Sequence, residues 1–222
     1  MRKYLKATKI NEQSELAYSQ YTRTDMLYFV PDEYSKILEI GCNVGNFRQL
    51  LSKPCEYWGV EPFKEAAEIA KTKMDKVLVD FYDKVTNEIP DNYFDVIIAN
   101  DVIEHMENPW GFLQSIKKKM TVNASIILSI PNVRFFGNLK ELLIDKDWKY
   151  KGEGILDITH LRFFTWKSLV RLLNETGFEI EKIEKMNPLK VRKRHLLYYW
   201  LFRIVFGSDI KFMHFGVKAK IK

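Results

Sequence analysis

The sequence predicts a single α/β domain built on a mostly parallel, doubly wound sheet with helices on both faces. Three observations lead there. Short apolar runs alternate with helical patterns five times along the chain. The 222 residues fit one domain of ordinary size with small additions. Hydrophobic residues make up 46% and aromatic residues 14%, enough for a real core and too much for a disordered chain.

Each element has its own warrant. Lys36–Ile40 reads as a buried strand that stops at Gly41. In 46–52, Phe47, Leu50 and Leu51 fall at helical spacing, and Pro54 follows as a stop. Residues 57–61 form a second strand, 63–73 an Ala-rich helix and 76–79 a third strand. Phe94–Asn100 is the cleanest strand. Asn108 then reads as an N-cap with Pro109 at the first helical position, and Trp110, Phe112, Leu113 and Ile116 give that helix its apolar face. Residues 125–131 form a fifth strand. The stretch 132–164 reads as a loop, too long for a connector and so expected to be a lid or binding loop. Thr165 caps a helix running to 175 that Gly177 ends, and strands over 179–186 and Phe212–Ile221 complete the pattern.

The net charge of +6 is unevenly placed: residues 181–222 hold 11 Lys/Arg against 3 Asp/Glu, while the first 180 hold 24 basic and 26 acidic. Basicity thus belongs to the last segment, and no nucleic-acid partner is expected for the core. Cys42 and Cys55 form neither a disulfide framework nor a metal-ligand spacing, and no His/Asp/Glu cluster reads as a metal site, so no metal is expected. The same cysteine usage makes a reducing cytoplasm the expected setting, and the first residues, MRKYLKATKI, lack an apolar run and do not read as a signal peptide.

In doubly wound sheets, ligands sit beyond the carboxyl ends of the strands. There the chain reads Glu39-Ile40-Gly41-Cys42-Asn43-Val44-Gly45-Asn46. Glycine lets the backbone turn tightly and approach a ligand, and Glu61 at the end of the second strand suits ribose hydroxyls. A dinucleotide fingerprint would need glycine at 43 and 46, and both are Asn. The loop therefore favours a nucleoside without phosphates.

LEIGCNVGNF, GVEPF, FDVIIANDVIEH and SIPNV together resemble the class I S-adenosylmethionine-dependent methyltransferases, over about residues 18–185. The resemblance implies a Rossmann-like seven-stranded sheet with the last strand inserted antiparallel, S-adenosylmethionine as cofactor and S-adenosylhomocysteine as product. It implies that Glu39, Gly41 and Gly45, with Cys42 and Asn43 between them, shape the pocket for the methionine and ribose part. Glu61, beside Pro62, would bind the ribose hydroxyls, and Asp80 and Phe81 the adenine edge and face. Asn100 and Asp101 would lie near the sulfonium. Asn43 departs from the family's usual glycine, a position Asn tolerates better than most residues. Cys42 is expected to be a small packing residue.

At the acceptor end, Trp148-Lys149-Tyr150 and Gly154-Ile155-Leu156-Asp157-Ile158-Thr159-His160-Leu161-Arg162-Phe163-Phe164-Thr165 resemble bacterial methyltransferases encoded beside glycosyltransferases in surface-polysaccharide pathways. A saccharide or glycan-precursor hydroxyl is the acceptor that this implies. A hydroxyl needs a base, and histidine is the natural one near neutral pH. His160 is preferred; His105 is the second candidate, or else organises the cofactor side with Glu104. His160 also reads as a staple that ties the lid down. Arg162 is expected to pair with Asp157, and Asn132 and Trp148 to belong to the lid. Tyr18, Tyr21 and Arg23 belong to a cap over 1–30. The absence of an Asn/Asp-Pro-Pro-aromatic run argues against methylation of nucleobase amino groups. Alternative readings are O-methylation of a quinone or lipid precursor, a non-catalytic cofactor-binding or membrane-docking protein of the same fold, and, more distantly, a dehydrogenase.

An insertion over about 188–210 separates the last two strands, and its 190–206 part joins a basic cluster to an apolar, aromatic run. That run falls short of the ~20 residues a spanning helix needs. It suits either an anionic membrane surface, at the inner face of the membrane, or a helix packed on the domain or in a homodimer; the chain is expected to be a monomer or homodimer.

Overall fold

A computed structural model describes residues 22–190 and 196–222. Its strands are β1 (Lys36–Ile40), β2 (Glu56–Val60), β3 (Lys76–Leu78), β4 (Phe94–Asn100), β5 (Met120–Pro131), β6 (Phe178–Pro188) and β7 (Phe212–Ile221). They form one seven-stranded sheet in the order β3-β2-β1-β4-β5-β7-β6. The pairs among β1 to β5 are parallel, and β7 runs antiparallel to both β5 and β6. The expected mixed sheet is therefore present, with the antiparallel strand inserted inside it.

Its central strands are apolar along both faces, as a sheet covered by helices on each side requires. Leu38, Ile97 and Ile126 face one core with Leu113, Leu169 and Leu172. Their neighbours Ile37, Val96, Ile98 and Ile127 face the other, with Met26, Phe29 and Tyr57. Strand alternation divides the core in this way.

The helices are α1 (Lys64–Ala70), α2 (Tyr82–Val85), α3 (Pro109–Ile116), α4 (Phe136–Leu143), α5 (Trp166–Glu175) and α6 (Leu196–Phe206). The two predicted caps are made. Asn108 Oδ1 accepts from the Gly111 amide at 2.9 Å, and Thr165 forms a reciprocal capping box with Ser168. Gly177, at φ +79°, turns the chain out of α5.

Three expectations change. Residues 46–52 tighten into a short 3-10 turn over Phe47–Leu50 instead of a regular helix. β5 starts at Met120, before the expected strand. The long stretch after β5 is not wholly loop, because α4 forms within it and Phe136 packs edge-on against Tyr199 and Phe202 of α6, with ring centroids 5.5 and 5.4 Å apart. α6 thus lays one face on the domain, and Ile210 completes the small cluster. Its other side chains, Leu197, Tyr198, Trp200, Leu201, Ile204 and Val205, are exposed. Among the described residues, no helix is long and apolar enough to cross a membrane. Tyr18, Tyr21 and the basic residues 192–194 lie outside the described residues.

Candidate active site

The ends of β1, β2 and β4 build the first half of the site. Beyond β1 the backbone turns through positive φ at Gly41 (+70°), Asn43 (+47°) and Gly45 (+75°). At Gly41 a side chain has no room, since a Cβ would come 2.7 Å from Val102 Cγ2. Glu61 is buried, and its Oε2 accepts the Asn43 amide at 2.8 Å while Oε1 accepts that of Phe63 at 3.0 Å. Asn43 therefore takes the left-handed turn that glycine usually supplies and aims its N–H at the acidic residue of the next strand. Pro62 follows, half-buried.

Glu39 lies beneath this loop, fully packed, and accepts the Tyr57 hydroxyl at 2.9 Å. Burial pushes its carboxyl up to about 8, against the Tyr57 hydrogen bond and helped by the charge of Glu61. The folded chain thus keeps a proton on Glu39 that the unfolded chain, near the ordinary 4.5, has released. Stability from this group is fully present below about 4.5 and is lost as pH rises toward 8. Glu39→Gln keeps an acceptor for Tyr57 and removes that loss. The variant should melt several degrees above the parent at pH 8 and match it near pH 4, as thermal unfolding across that range would show.

Cys42 is a packing residue, as expected: a Cβ at Gly59 would come 2.5 Å from its Sγ. Burial pushes its thiol well above the usual range. Asp80 is exposed and accepts the Phe81 amide at 2.7 Å, while the Phe81 ring is 60% exposed and forms an open platform.

At the end of β4, the Asn100 amide is buried with neither its nitrogen nor its oxygen hydrogen-bonded. Such orphaned polar atoms are costly and mark a place where a ligand can complete the bonding. Asp101 follows at φ +54°. Its Oδ1 accepts the Ser129 hydroxyl at 2.7 Å and its Oδ2 meets Arg23, which also donates to Ser129 at 2.8 Å and to Asp25 at 3.0 Å. Burial opposes the Asp101 charge, but Arg23 and then His214 hold its carboxyl below the usual range. Arg23, expected only as part of a cap, is thus anchored into the strand ends. His214 Nε2 stands 3.9 Å from Asp101 Oδ1. The sequence reading missed His214, since nothing in a late strand pattern shows which side chain will face Asp101.

The second half comes from 154–165. The Leu161 and Arg162 amides both donate to the Glu104 carbonyl, at 2.8 and 2.9 Å, and bind this segment to the turn after β4. Glu104 is 1% exposed, and neither carboxylate oxygen has a hydrogen-bond partner. Burial, then the charge of Asp101, pushes its carboxyl well above the usual range. His160 is buried, its Nδ1 is 2.9 Å from the Ile155 carbonyl and its Nε2 is 4.0 Å from Glu104 Oε1. The staple expected of His160 is therefore made through Nδ1, and Nε2 faces a carboxylate. The His105 ring lies edge-on to it, with centroids 4.6 Å apart. His105 Nδ1 is 3.0 Å from the Thr159 hydroxyl, whose own proton goes to Asp157 Oδ1 at 2.6 Å. Nδ1–H of His105 is then the donor, and Nε2 carries the lone pair. Burial and, next, the neighbouring His160 push His105 down to about 4, although the residue as a whole is exposed.

Two expected roles are corrected. Asp157 does not pair with Arg162: it accepts the amide and hydroxyl of Thr159 within its own turn, and Arg162 Nε donates to the Glu107 carbonyl at 3.1 Å. Asn132 does not line an acceptor site: it is buried and ties β5 to the carbonyls of Asp209 and Phe212, at 3.0 and 2.9 Å. Glu104, His105 and His160, which the sequence does not group, each offer a ligand atom within 4.8 Å of the others. Trp148 lies edge-on to Phe163, with ring centroids 5.5 Å apart.

Residues 9–183 match a family model described as a methyltransferase domain. An uncharacterized protein of Methanocaldococcus jannaschii is 28% identical over 168 residues, covering 70% of this chain and 74% of its own length. The mitochondrial ubiquinone biosynthesis O-methyltransferase of Schizosaccharomyces pombe is 26% identical over 170 residues, covering 70% of this chain and 60% of its own. This chain therefore spans less than two thirds of that relative. Among solved structures, a SAM-dependent methyltransferase from Archaeoglobus fulgidus superposes with a TM-score of 0.63 at 21% identity, covering 94% of this chain and 93% of its own, which shows a shared fold.

Proposed function

The chain belongs to the methyltransferase domain family, and on that premise we propose that it transfers a methyl group from S-adenosylmethionine to a hydroxyl oxygen of a small acceptor. The observation that carries this reading is the orphaned Asn100 amide at the carboxyl end of β4, beside Asp101 in the chain. Bound there, S-adenosylmethionine supplies a methyl group already activated on a positively charged sulfur. The protein's task is then alignment and exclusion of water. Glu61 receives the ribose hydroxyls beside the Asn43 amide, the exposed face of Phe81 stacks on adenine, and Asn100 completes its hydrogen bonds to the ligand. The turn at Gly41 lets the backbone come close.

The acceptor side is polar. Arg23, Asp101, His214 and the two imidazoles of His105 and His160 suit a polyhydroxylated acceptor, and a saccharide is the preferred one. Proton removal falls to the cluster of Glu104, His105 and His160. A second reading, a phenolic hydroxyl of a quinone precursor, has support in the relative whose name places it in ubiquinone biosynthesis. The exposed apolar side chains of α6, next to basic residues 190–194 in the sequence, support peripheral contact with an anionic membrane, where a lipid-linked acceptor of either kind would be met.

The test is methyl-labelled S-adenosylmethionine offered with free and nucleotide-linked sugars, and with a prenylated dihydroxyphenol in anionic vesicles. Label in a sugar is expected. Label in the phenol alone would replace the saccharide with the second reading. Failure of the protein to bind S-adenosylmethionine by calorimetry would overturn methyl transfer itself.

A further inference from the structure

We propose that Glu104, His105 and His160 form a binding site for a divalent transition-metal cation of the zinc, cobalt or manganese class. One ligand atom from each lies within 4.8 Å of the other two. Donors bound to a single ion at roughly 2.1 Å stand about 3–4 Å apart, so a small inward closure of three side chains completes the set.

Two further observations point to a ligand and not only to proximity. The Glu104 carboxylate is 1% exposed with both oxygens unpartnered, aimed toward His160 Nε2 at 4.0 Å. A buried carboxylate without hydrogen bonds is costly, and a cation offsets that cost directly. Both imidazoles are also fixed through Nδ1, His160 against the Ile155 carbonyl and His105 against the Thr159 hydroxyl. An oxygen that holds one ring nitrogen while the other keeps its lone pair is the usual outer-shell arrangement of metal-binding histidine. Thr159 is itself held by Asp157 at 2.6 Å, which extends the support one layer further.

Donor chemistry selects the ion. Two imidazole nitrogens and one carboxylate suit zinc, cobalt, manganese or iron, whereas magnesium and calcium prefer all-oxygen sets. The nearby guanidinium of Arg23 is matched by Asp25 and Asp101 and leaves the carboxylate of Glu104 for the ion. Three protein ligands leave an open position, and the exposure of His105 gives a way in.

Only the ion's role, and not its binding, rests on the methyl-transfer reading. The acceptor hydroxyl would take the open position and become more acidic. With the ion bound, the imidazole lone pairs that would otherwise take the proton are occupied, so the proton would pass to solvent water, and the oxygen–carbon bond would form as the carbon–sulfur bond breaks, the electron pair going to sulfur.

The experiment uses untagged, full-length protein stripped with a chelator and titrated with cobalt(II), followed by visible absorption and calorimetry, with zinc as competitor and magnesium as control. Saturable one-to-one binding with new visible bands is expected, displaced by zinc and not mimicked by magnesium. His105→Ala, at the solvent edge, and His160→Ala should each weaken it by about a hundredfold, and Glu104→Gln at least as much. Absence of saturable cobalt binding, or binding unchanged in both histidine variants, would overturn the site. S-adenosylmethionine affinity is measured on the same samples. Cofactor binding without cobalt binding removes the metal site and leaves methyl transfer standing, and the reverse result separates the two the other way.

Discussion

Glu61→Ala lowers the affinity for S-adenosylmethionine by about a hundredfold or more, equivalent to about 2.7 kcal/mol. The effect is large because one buried carboxylate serves two structures. It accepts the amides of Asn43 and Phe63, at 2.8 and 3.0 Å, and so holds the turn after β1 against the start of α1. It also offers the acidic acceptor that ribose hydroxyls require. Each charge-assisted hydrogen bond lost costs about 1.5–3 kcal/mol, and truncation leaves two amides facing an empty space. Asn43, already at φ +47°, loses the partner that holds it there. Titration calorimetry on parent and variant checks this, and affinity within threefold of the parent would show that the ribose is bound elsewhere.

Arg23→Ala is the second substitution with a large effect. The guanidinium bridges Asp25, Asp101 and Ser129, so its removal strands the Asp101 charge at the end of β4. Breaking a buried pair costs about 3–5 kcal/mol, and solvent reaching this one reduces the expected loss to about 2 kcal/mol. The pH dependence has a definite sign. The Asp101 carboxyl is held below its ordinary 3.8. Its stabilising contribution is present above that value and is lost as pH falls through the depressed folded-state value. Parent and variant should therefore differ most near neutrality and converge in acid, as denaturant unfolding between pH 2 and pH 7 would show. A constant difference across that range would mean that Arg23 acts through packing alone. On the methyl-transfer reading, turnover should fall more than stability, because Asp101 stands at the strand end proposed to hold the cofactor.

Much of this architecture is legible in the residues, and what is not legible has a physical reason. β1 and β4 have the expected bounds because strands buried on both faces carry consecutive apolar residues, Ile37-Leu38 in one and Val96–Ala99 in the other. Asn108 and Thr165 cap as expected because their bonds are local. Gly41 and Glu61 are likewise readable, since a strand followed by glycine and a second strand ending in an acid is a local pattern. α4 is hidden because Phe-Gly-Asn-Leu-Lys-Glu-Leu-Leu opens with poor helix formers, and Phe136 gains support from Tyr199 and Phe202 of α6, far along the chain. Asp157 and Arg162 look like a pair because they are close in sequence, yet Thr159 satisfies the acid first. The Glu104, His105 and His160 cluster is invisible in sequence because it exists only once the amides of Leu161 and Arg162 dock on the Glu104 carbonyl. His214 reaches Asp101 by the same kind of long-range closure.

The place of β7 has a consequence for how the molecule comes into being. It is the last of the seven strands along the chain, yet it lies inside the sheet, bonded to β5 on one side and β6 on the other. As the polypeptide leaves the ribosome, the five parallel strands can associate while the outer edge of β5 still exposes its backbone donors and acceptors. β6 then has no neighbour to join until residues 212–221 emerge. A nascent chain at that stage presents an open sheet edge lined by one of the most apolar strands in the protein, the arrangement most prone to pairing with the wrong partner. Closing the sheet and silencing that edge are one event, and it waits for the last of the seven strands.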